Sequence, residues 1–295
     1  QPIVLDNLSS GQSSFVQWGP LVQADISDSN AIHQIIEDYQ PVAAMHFAAF
    51  INVGESVADP AKYYHNNTVQ TIQFFDLLRH AGVTNVVFSS TAAVYGEPVT
   101  DVITETHPIG PINAYGKSKW AVEQVLSDFD QAYDFRSVVF RYFNAAGADP
   151  EGRVGEAHDP ETHLIPLILA AANGDRSSIK VFGSDYDTPD GTCIRDYIHV
   201  HDLALAHVLA LRHLLNGGAS KTYNLGNGSG YSVKDVIDVV KQVTEKSFSV
   251  EMVERRPGDP ARLVSSADLV RQELGWDPEY PDLDDIVRHA WKWYQ

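Results

Sequence analysis

Cysteine is almost absent from this chain. The single thiol, Cys193, rules out an internal disulfide framework, suits a reducing cytoplasm and reads as a packed side chain. Positive charge is also scarce: 21 Lys and Arg stand against 39 Asp and Glu, a net charge of −18. Such a field repels nucleic acid and acidic membrane surfaces. It repels nucleotide phosphates at long range too, so any phosphate must be met by local cations, which singles out Arg195, Arg255 and Arg256. No run of about 18 apolar residues occurs, so no membrane span is expected. No basic-then-apolar leader pattern opens the chain. Internal repeats and low-complexity linkers are lacking. The expectation is a cytoplasmic protein with no nucleic-acid or membrane partner.

The 295 residues suffice for one large domain or two ordinary ones. Apolar residues make up 44% and charged residues 20%, ordinary for a globular protein. The first half alternates β-rich and helical runs. Strands are expected at 2–7, 21–26, 42–50, 85–90 and 136–144. Helices are expected at 30–39, capped by Ser29 or Asn30, and at 59–82, with Pro60 in its first turn and Gly82 as its stop. A further helix covers 113–130. Nearly continuous apolar strands between helices imply an α/β fold with a doubly wound parallel sheet, whose ligands sit at the strands' carboxyl ends. The second half is looser: helices at 163–174, 202–215 and 232–245, strands at 178–183 and 221–228, and a turn-rich stretch at 184–200.

The strand "PIVLDN" ends in Asp6. An acid there commonly takes the ribose hydroxyls of NAD, and a glycine-rich phosphate loop stands about 20 residues before it. That position precedes Gln1, so the first strand, the phosphate loop and the first helix are expected to lie outside this chain.

"NAYGKSKWAVEQVL" (113–126) places Tyr115 and Lys119 four residues apart, on one helical face. A tyrosine of pKa about 10 is a poor base at neutral pH, and a neighbouring ammonium lowers that pKa. The phenolate can then take a proton from an alcohol while hydride leaves the same carbon. The pattern alone is weak. It gains weight from "VVFSSTAAVYG" (86–96), a strand ending in Ser89, Ser90 and Thr91. There Thr91 can hydrogen-bond the reacting oxygen, although plain turn chemistry also explains such hydroxyls. His199 and His201 alternate as on a strand, but no third ligand is evident and no metal is expected.

"LDNLSSG", "HFAA", "YYHNN", "FSSTAAVYGE", "AYGKSK", "RYFNAAGA", "DGTCIRDYIHVHDLA", "YNLGNG" and "RRPGDPA" together resemble, in order and spacing, the extended short-chain dehydrogenase/reductase superfamily and, within it, the UDP-glucose 4-epimerase family. The resemblance runs from Pro2 to about Trp293. It implies a Rossmann domain at 1–144 plus about 197–220, and a smaller α/β UDP-sugar domain at about 145–196 plus 221–295. It implies NAD as cofactor, with Asp6 and Asn7 at the adenosine ribose and Asp25 and Ile26 at the adenine. Phe47, Ala48, Ala49, Asn66, Tyr115, Lys119 and Phe143 would complete that site. A UDP-sugar would meet Thr91, Asn144, Leu164, Val181, Phe182, Arg195, Arg256, Asp259 and Leu263, with Phe182 flanking the uracil. An Arg195–Asp196 ion pair is the structural alternative for that arginine, and a helix-packing amide the alternative for Asn66.

The implied reaction is epimerisation at C4 of a UDP-hexose through a 4-keto sugar, with Tyr115, Lys119 and Thr91 as the catalytic group. A homodimer through helices 60–80 and 113–130 is implied as well. Two positions depart from relatives: Ile51 replaces a lysine found in some, and Leu263 stands where a tyrosine tends to exclude N-acetylated sugars. Sugar-nucleotide dehydratases of the same superfamily carry an acidic pair where Ala92 and Ala93 stand here. Another NAD-dependent sugar-nucleotide enzyme, or an inactive truncated relative, are the alternatives.

Overall fold

The computed structural model describes residues 1–256 and 259–295. The chain divides into two compact units: Gln1–Glu97 with His107–Arg141 and His207–Tyr223, and Pro98–Thr106 with Tyr142–Ala206 and Asn224–Gln295.

In the first unit the β-branched run "NVVFS" forms the strand Asn85–Ser89, buried from its second residue onward. It pairs in parallel with Ala44–His46 and with Arg136–Tyr142, in the order Lys221–Leu225, Arg136–Tyr142, Asn85–Ser89, Ala44–His46. Val4–Asp6 and Leu21–Gln23 form a separate parallel pair. Continuous apolar strands demand cover on both faces, and the helices supply it. Phe75, Leu78, Val122 and Leu126 pack on Val86, Phe88, Phe135 and Val139. Phe75 is fully buried, 5.9 Å from Phe135 and 6.2 Å from Phe88 between ring centroids. Truncating such a ring costs about 3–5 kcal/mol.

Three local expectations need correction. The apolar run 42–50 is a strand only over Ala44–His46. The first helix, Ser29–Tyr39, is capped by Asp28, whose carboxylate accepts from the N–H groups of Asn30 and Ala31. Ser29 and Asn30 lie inside it. The helix expected at 59–82 is α-helical at Pro60–Tyr63, π-helical at Tyr64–Gln70 and α-helical again at Thr71–His80. Gly82 ends the turn that follows, with φ +80°.

The helix Ala114–Tyr133 starts at Asn113, whose side chain accepts from Gly116 N–H at 2.8 Å. A Cβ on Gly116 would come within 2.5 Å of the Ala93 carbonyl. Glycine between the tyrosine and the lysine therefore lets this helix begin hard against the turn Ala92–Val94 that follows Thr91.

The second unit holds short sheets. Asn144–Ala146 pairs with Tyr197–His199, and Ser178–Phe182 with Ser249–Val253, both parallel. Ile194–Arg195 lies between Tyr231–Ser232 and Arg262–Leu263. Helices Leu164–Asn173, Val233–Thr244 and Leu283–Tyr294 close a core around Ile168, Val236, Ile237, Ile286 and Val287. The buried Asp196 carboxylate accepts from Asn227 N, Gly228 N, Ser265 N and Ser265 Oγ at 2.8–3.1 Å, and so ties three segments together. Among the described residues no helix is long and apolar enough to cross a membrane.

Candidate active site

Tyr115 and Lys119 are both buried, on consecutive turns of one helix. The Lys119 ammonium donates to the Ser89 carbonyl at 2.8 Å and stands 4.9 Å over the Phe88 ring. Burial strips its water and pulls its pKa down to about 7, against a weaker opposing pull from Glu123. Its charge is felt nearby: His46, buried and bonded to Thr71 Oγ1 at 3.0 Å, is held near 3 by burial first and by Lys119 second. Tyr115 packs edge-on against Tyr63, centroids 6.4 Å apart. Tyr63 donates to Glu55 at 2.8 Å, and burial together with that carboxylate pushes its own ionisation up. Thr91 is buried at the strand's end, its hydroxyl oxygen accepting from Ala93 N–H at 3.1 Å.

The three hydroxyls of "SST" have separate tasks. Ser89 Oγ meets His207 Nε2 at 3.2 Å. Ser90 donates to Glu123. Glu123, one turn beyond Lys119, also receives the Arg141 guanidinium at 2.6 Å, and Arg141 reaches Tyr95 OH at 3.1 Å. Both members of this ion pair are buried. The sequence reading missed Glu123 and Arg141. The available signal was a third polar residue on the Tyr–Lys stripe, at 115, 119 and 123.

A cleft of about 80 Å³ in the same unit gathers Asp6, Asn7, Asp25, Ile26, Ala48, Ala49 and Asn66. Asp6 accepts from Leu8 N–H at 2.7 Å, and Asn7 donates to Asp25 at 2.8 Å. Burial opposes the Asp25 charge, but the bonds from Ser27 and Asn7 outweigh it and hold its pKa below the usual value. Phe47 does not line this cleft. Its ring is 55% exposed and lies 4.9 Å from His207. Asn66 does line it, and its neighbour Asn67 is the helix-packing amide. Asn67 accepts from Phe50 N–H and donates to the Phe50 carbonyl, both at 2.9 Å, and reaches Ser118 Oγ at 3.3 Å.

In the second unit, Arg195 donates to Asp259 at 2.5 Å and to the carbonyls of Pro260 and Ile194 at 2.9 and 2.8 Å. Its ion pair is with Asp259 and not with Asp196. Leu263 pairs with Arg195 across parallel strands. Arg256 lies 3.8 Å over the Phe182 ring, the ring expected to flank a base. Phe182 opens onto a cavity of about 860 Å³ lined by residues 183–185 and 252–255. Val181 faces away from that opening: it is 1% exposed and packs into the core. Leu164 begins a helix and packs partly on the same core. Asn144 donates through its amide to the Asp196 carbonyl at 2.9 Å, and Phe143 N–H to the Leu225 carbonyl at 3.3 Å. His199 gains a neighbour unseen in the sequence, His289, at 3.0 Å. Cys193 is buried, and burial pushes its thiol pKa up.

Comparison with known proteins gives consistent matches. The model of the NAD dependent epimerase/dehydratase family matches residues 2–226. A UDP-glucose 4-epimerase of Rhizobium leguminosarum bv. trifolii is 51% identical over 294 residues, covering 100% of this chain and 90% of that protein. The crystal structure of the Brucella ovis UDP-glucose 4-epimerase in complex with NAD superposes with a TM-score of 0.96 at 49% identity, over 98% of this chain and 89% of that one. The Bifidobacterium longum UDP-glucose 4-epimerase in complex with NAD+ and UDP gives 0.93 at 35% identity, over 99% and 90%.

Proposed function

Because this chain belongs to the NAD dependent epimerase/dehydratase family, we propose that it is an NAD-dependent isomerase interconverting UDP-galactose and UDP-glucose at C4. The observation that carries the reading is the buried Tyr115–Lys119 pair beside the strand end at Thr91. The Asp6–Asp25–Asn66 cleft suits the adenosine half of NAD: two carboxylates and two amides for hydroxyls and ring nitrogens, and a buried Ile26 as an apolar wall. The chemistry NAD supplies when bound is reversible hydride acceptance from C4, which leaves a 4-keto sugar.

Tyr115 receives the proton of the sugar 4-OH and returns it to the same C4 oxygen when the keto group is reduced from its other face. Lys119 favours the phenolate by its charge, and Thr91, its hydrogen not engaged by Ala93, donates to the same sugar oxygen. Arg195, fixed by Asp259 and two carbonyls, and the exposed Arg256 meet the diphosphate. Tight grip on the nucleotide with a loose grip on the hexose lets the keto sugar turn over without escaping. Ala92 and Ala93 offer no acid for eliminating water, which disfavours dehydration. The same reading carries a cytoplasmic homodimer through helices 60–80 and 113–130, where Tyr64 and Val69 leave apolar surface exposed; light scattering of the purified protein checks it.

The test is Tyr115→Phe in the NAD-loaded protein. Turnover of UDP-galactose should fall by about 10²–10⁴-fold with bound NAD unchanged. Undiminished turnover sinks the proposal.

A further inference from the structure

The stretch "EAHDPETH" just before the helix Leu164–Asn173 carries Glu-x-His twice, at 156–158 and 161–163. It takes no part in the chemistry above. One ligand atom from each of Glu156, His158, Glu161 and His163 lies within 4.8 Å of the others. The two imidazole rings stand 5.1 Å apart between centroids, inclined by 55°.

We propose that Glu156, His158, Glu161 and His163 form a binding site for one divalent transition-metal ion of the zinc class. Two imidazole nitrogens with two carboxylate oxygens is a donor set suited to such an ion. Magnesium and calcium take oxygen ligands almost alone. Each glutamate is already turned to its own histidine. Glu156 meets His158, and Glu161 Oε1 lies 2.7 Å from His163 Nδ1. Among the described residues no lysine or arginine pairs with either glutamate.

The second oxygen of Glu161 gives an independent indication. Oε1 accepts from Thr162 N–H at 2.5 Å and His163 N–H at 2.6 Å, whereas Oε2 is sealed from solvent and has no hydrogen-bond partner. A sealed carboxylate oxygen without a donor is costly, and a cation beside it removes that cost.

The frame is partly built. The Glu156 carbonyl accepts from Trp293 Nε1 at 2.8 Å, which pins the first ligand's backbone. Zinc bonds of about 2.0–2.2 Å place tetrahedral ligand atoms roughly 3.4 Å apart, so each Glu–His hydrogen bond must open while the widest separation, at most 4.8 Å, closes by about an ångström. The histidine side chains, each 42% exposed, can rotate that far, and their exposure gives the ion its entry path. The other histidine group, at 199, 201 and 289, lacks this character: among the described residues only the 156–163 cluster brings three or more such ligand atoms together.

An ion here would clamp residues 156–163 and fix the start of the helix at Leu164. The site itself does not depend on the epimerase reading, and its test is direct binding. Untagged protein stripped with a chelator is titrated with Zn²⁺ by calorimetry and with Co²⁺ by visible absorption. One equivalent should bind per chain, Co²⁺ should show the intense visible band of a tetrahedral site, and excess Mg²⁺ should not compete. The double variant His158→Ala/His163→Ala should lose more than the roughly 10–100-fold that an outer-shell change costs. The control His201→Ala should bind as the parent does. Glu161→Gln, which keeps shape and removes one charged ligand, should weaken binding in the same direction if the double variant folds poorly. No saturable Zn²⁺ binding by the parent, equal binding by the variants, or displacement by Mg²⁺ would each overturn the proposal.

Discussion

Replacing Lys119 by methionine should stabilise the protein at low pH while destroying its activity. The ammonium is wholly buried, and its pKa falls from 10.5 to about 7 because water is removed. Below pH 7 the folded chain therefore carries a cost of roughly 5 kcal/mol for that charge, at about 1.4 kcal/mol per pKa unit. The sign follows from proton counting. Between about pH 7 and 10.5 the unfolded chain holds this proton and the folded chain has released it. The Lys119 contribution to stability thus rises with pH across that window. By pH 10 the cost should shrink to roughly 1 kcal/mol. Methionine removes the charge but also the bond to the Ser89 carbonyl, a loss of about 1–3 kcal/mol. The net expectation at pH 6 is a gain of about 2–4 kcal/mol, fading or reversing by pH 10. Urea unfolding of parent and variant at both pH values, at equal cofactor loading, measures this, with Trp120 near Arg141 as one reporter. A stability difference independent of pH, or one that grows as pH rises, refutes the reasoning.

Glu123→Leu should cost about 3–5 kcal/mol by leaving Arg141 buried without its carboxylate, and adding Arg141→Met should restore most of that. A double-mutant cycle in urea decides it, and additive losses would count against the coupling. Asp6→Asn should weaken NAD binding about 10–100-fold, the worth of one charge-assisted hydrogen bond, without altering the unfolding midpoint. Fluorescence titration with NADH reads that affinity, and an unchanged dissociation constant would remove Asp6 from the cofactor site.

Periodicity and strand spacing sufficed for the parallel Ala44–His46, Asn85–Ser89 and Arg136–Tyr142 ladder, because continuous apolar strands between helices admit few other packings. The limits of each element were harder to read. "VAAMHFAAF" is apolar throughout, and nothing local says that pairing stops at His46 and that Phe47 turns outward. Tyr115 and Lys119 were legible because both ends of the pattern sit on one helix. Glu123 was not: a buried glutamate is tolerable only with a counter-charge, and Arg141 comes from the next strand. Phe182 and Arg256 were each singled out in the sequence, but their mutual stacking is a tertiary fact. The roles of Asn66 and Asn67 differ by one residue, and only the widened turn between Tyr64 and Gln70 decides which of them faces the cleft.

That turn has a consequence for how the chain tolerates changes in length. A π turn is a helix carrying one surplus residue, and each helical residue advances the face by about 100°. A one-residue deletion within 64–70 can be absorbed as ordinary helix: the flanking turns keep their facing, and only the Asn66/Asn67 division of labour is lost. The same deletion within Thr71–His80 has no such slack and would swing Leu78 away from its hydrophobic neighbours. The surplus residue thus acts as a fuse, confining the damage of a length change to the Asn66 cleft contact and the Asn67 packing amide beside it and sparing the flanking helical turns.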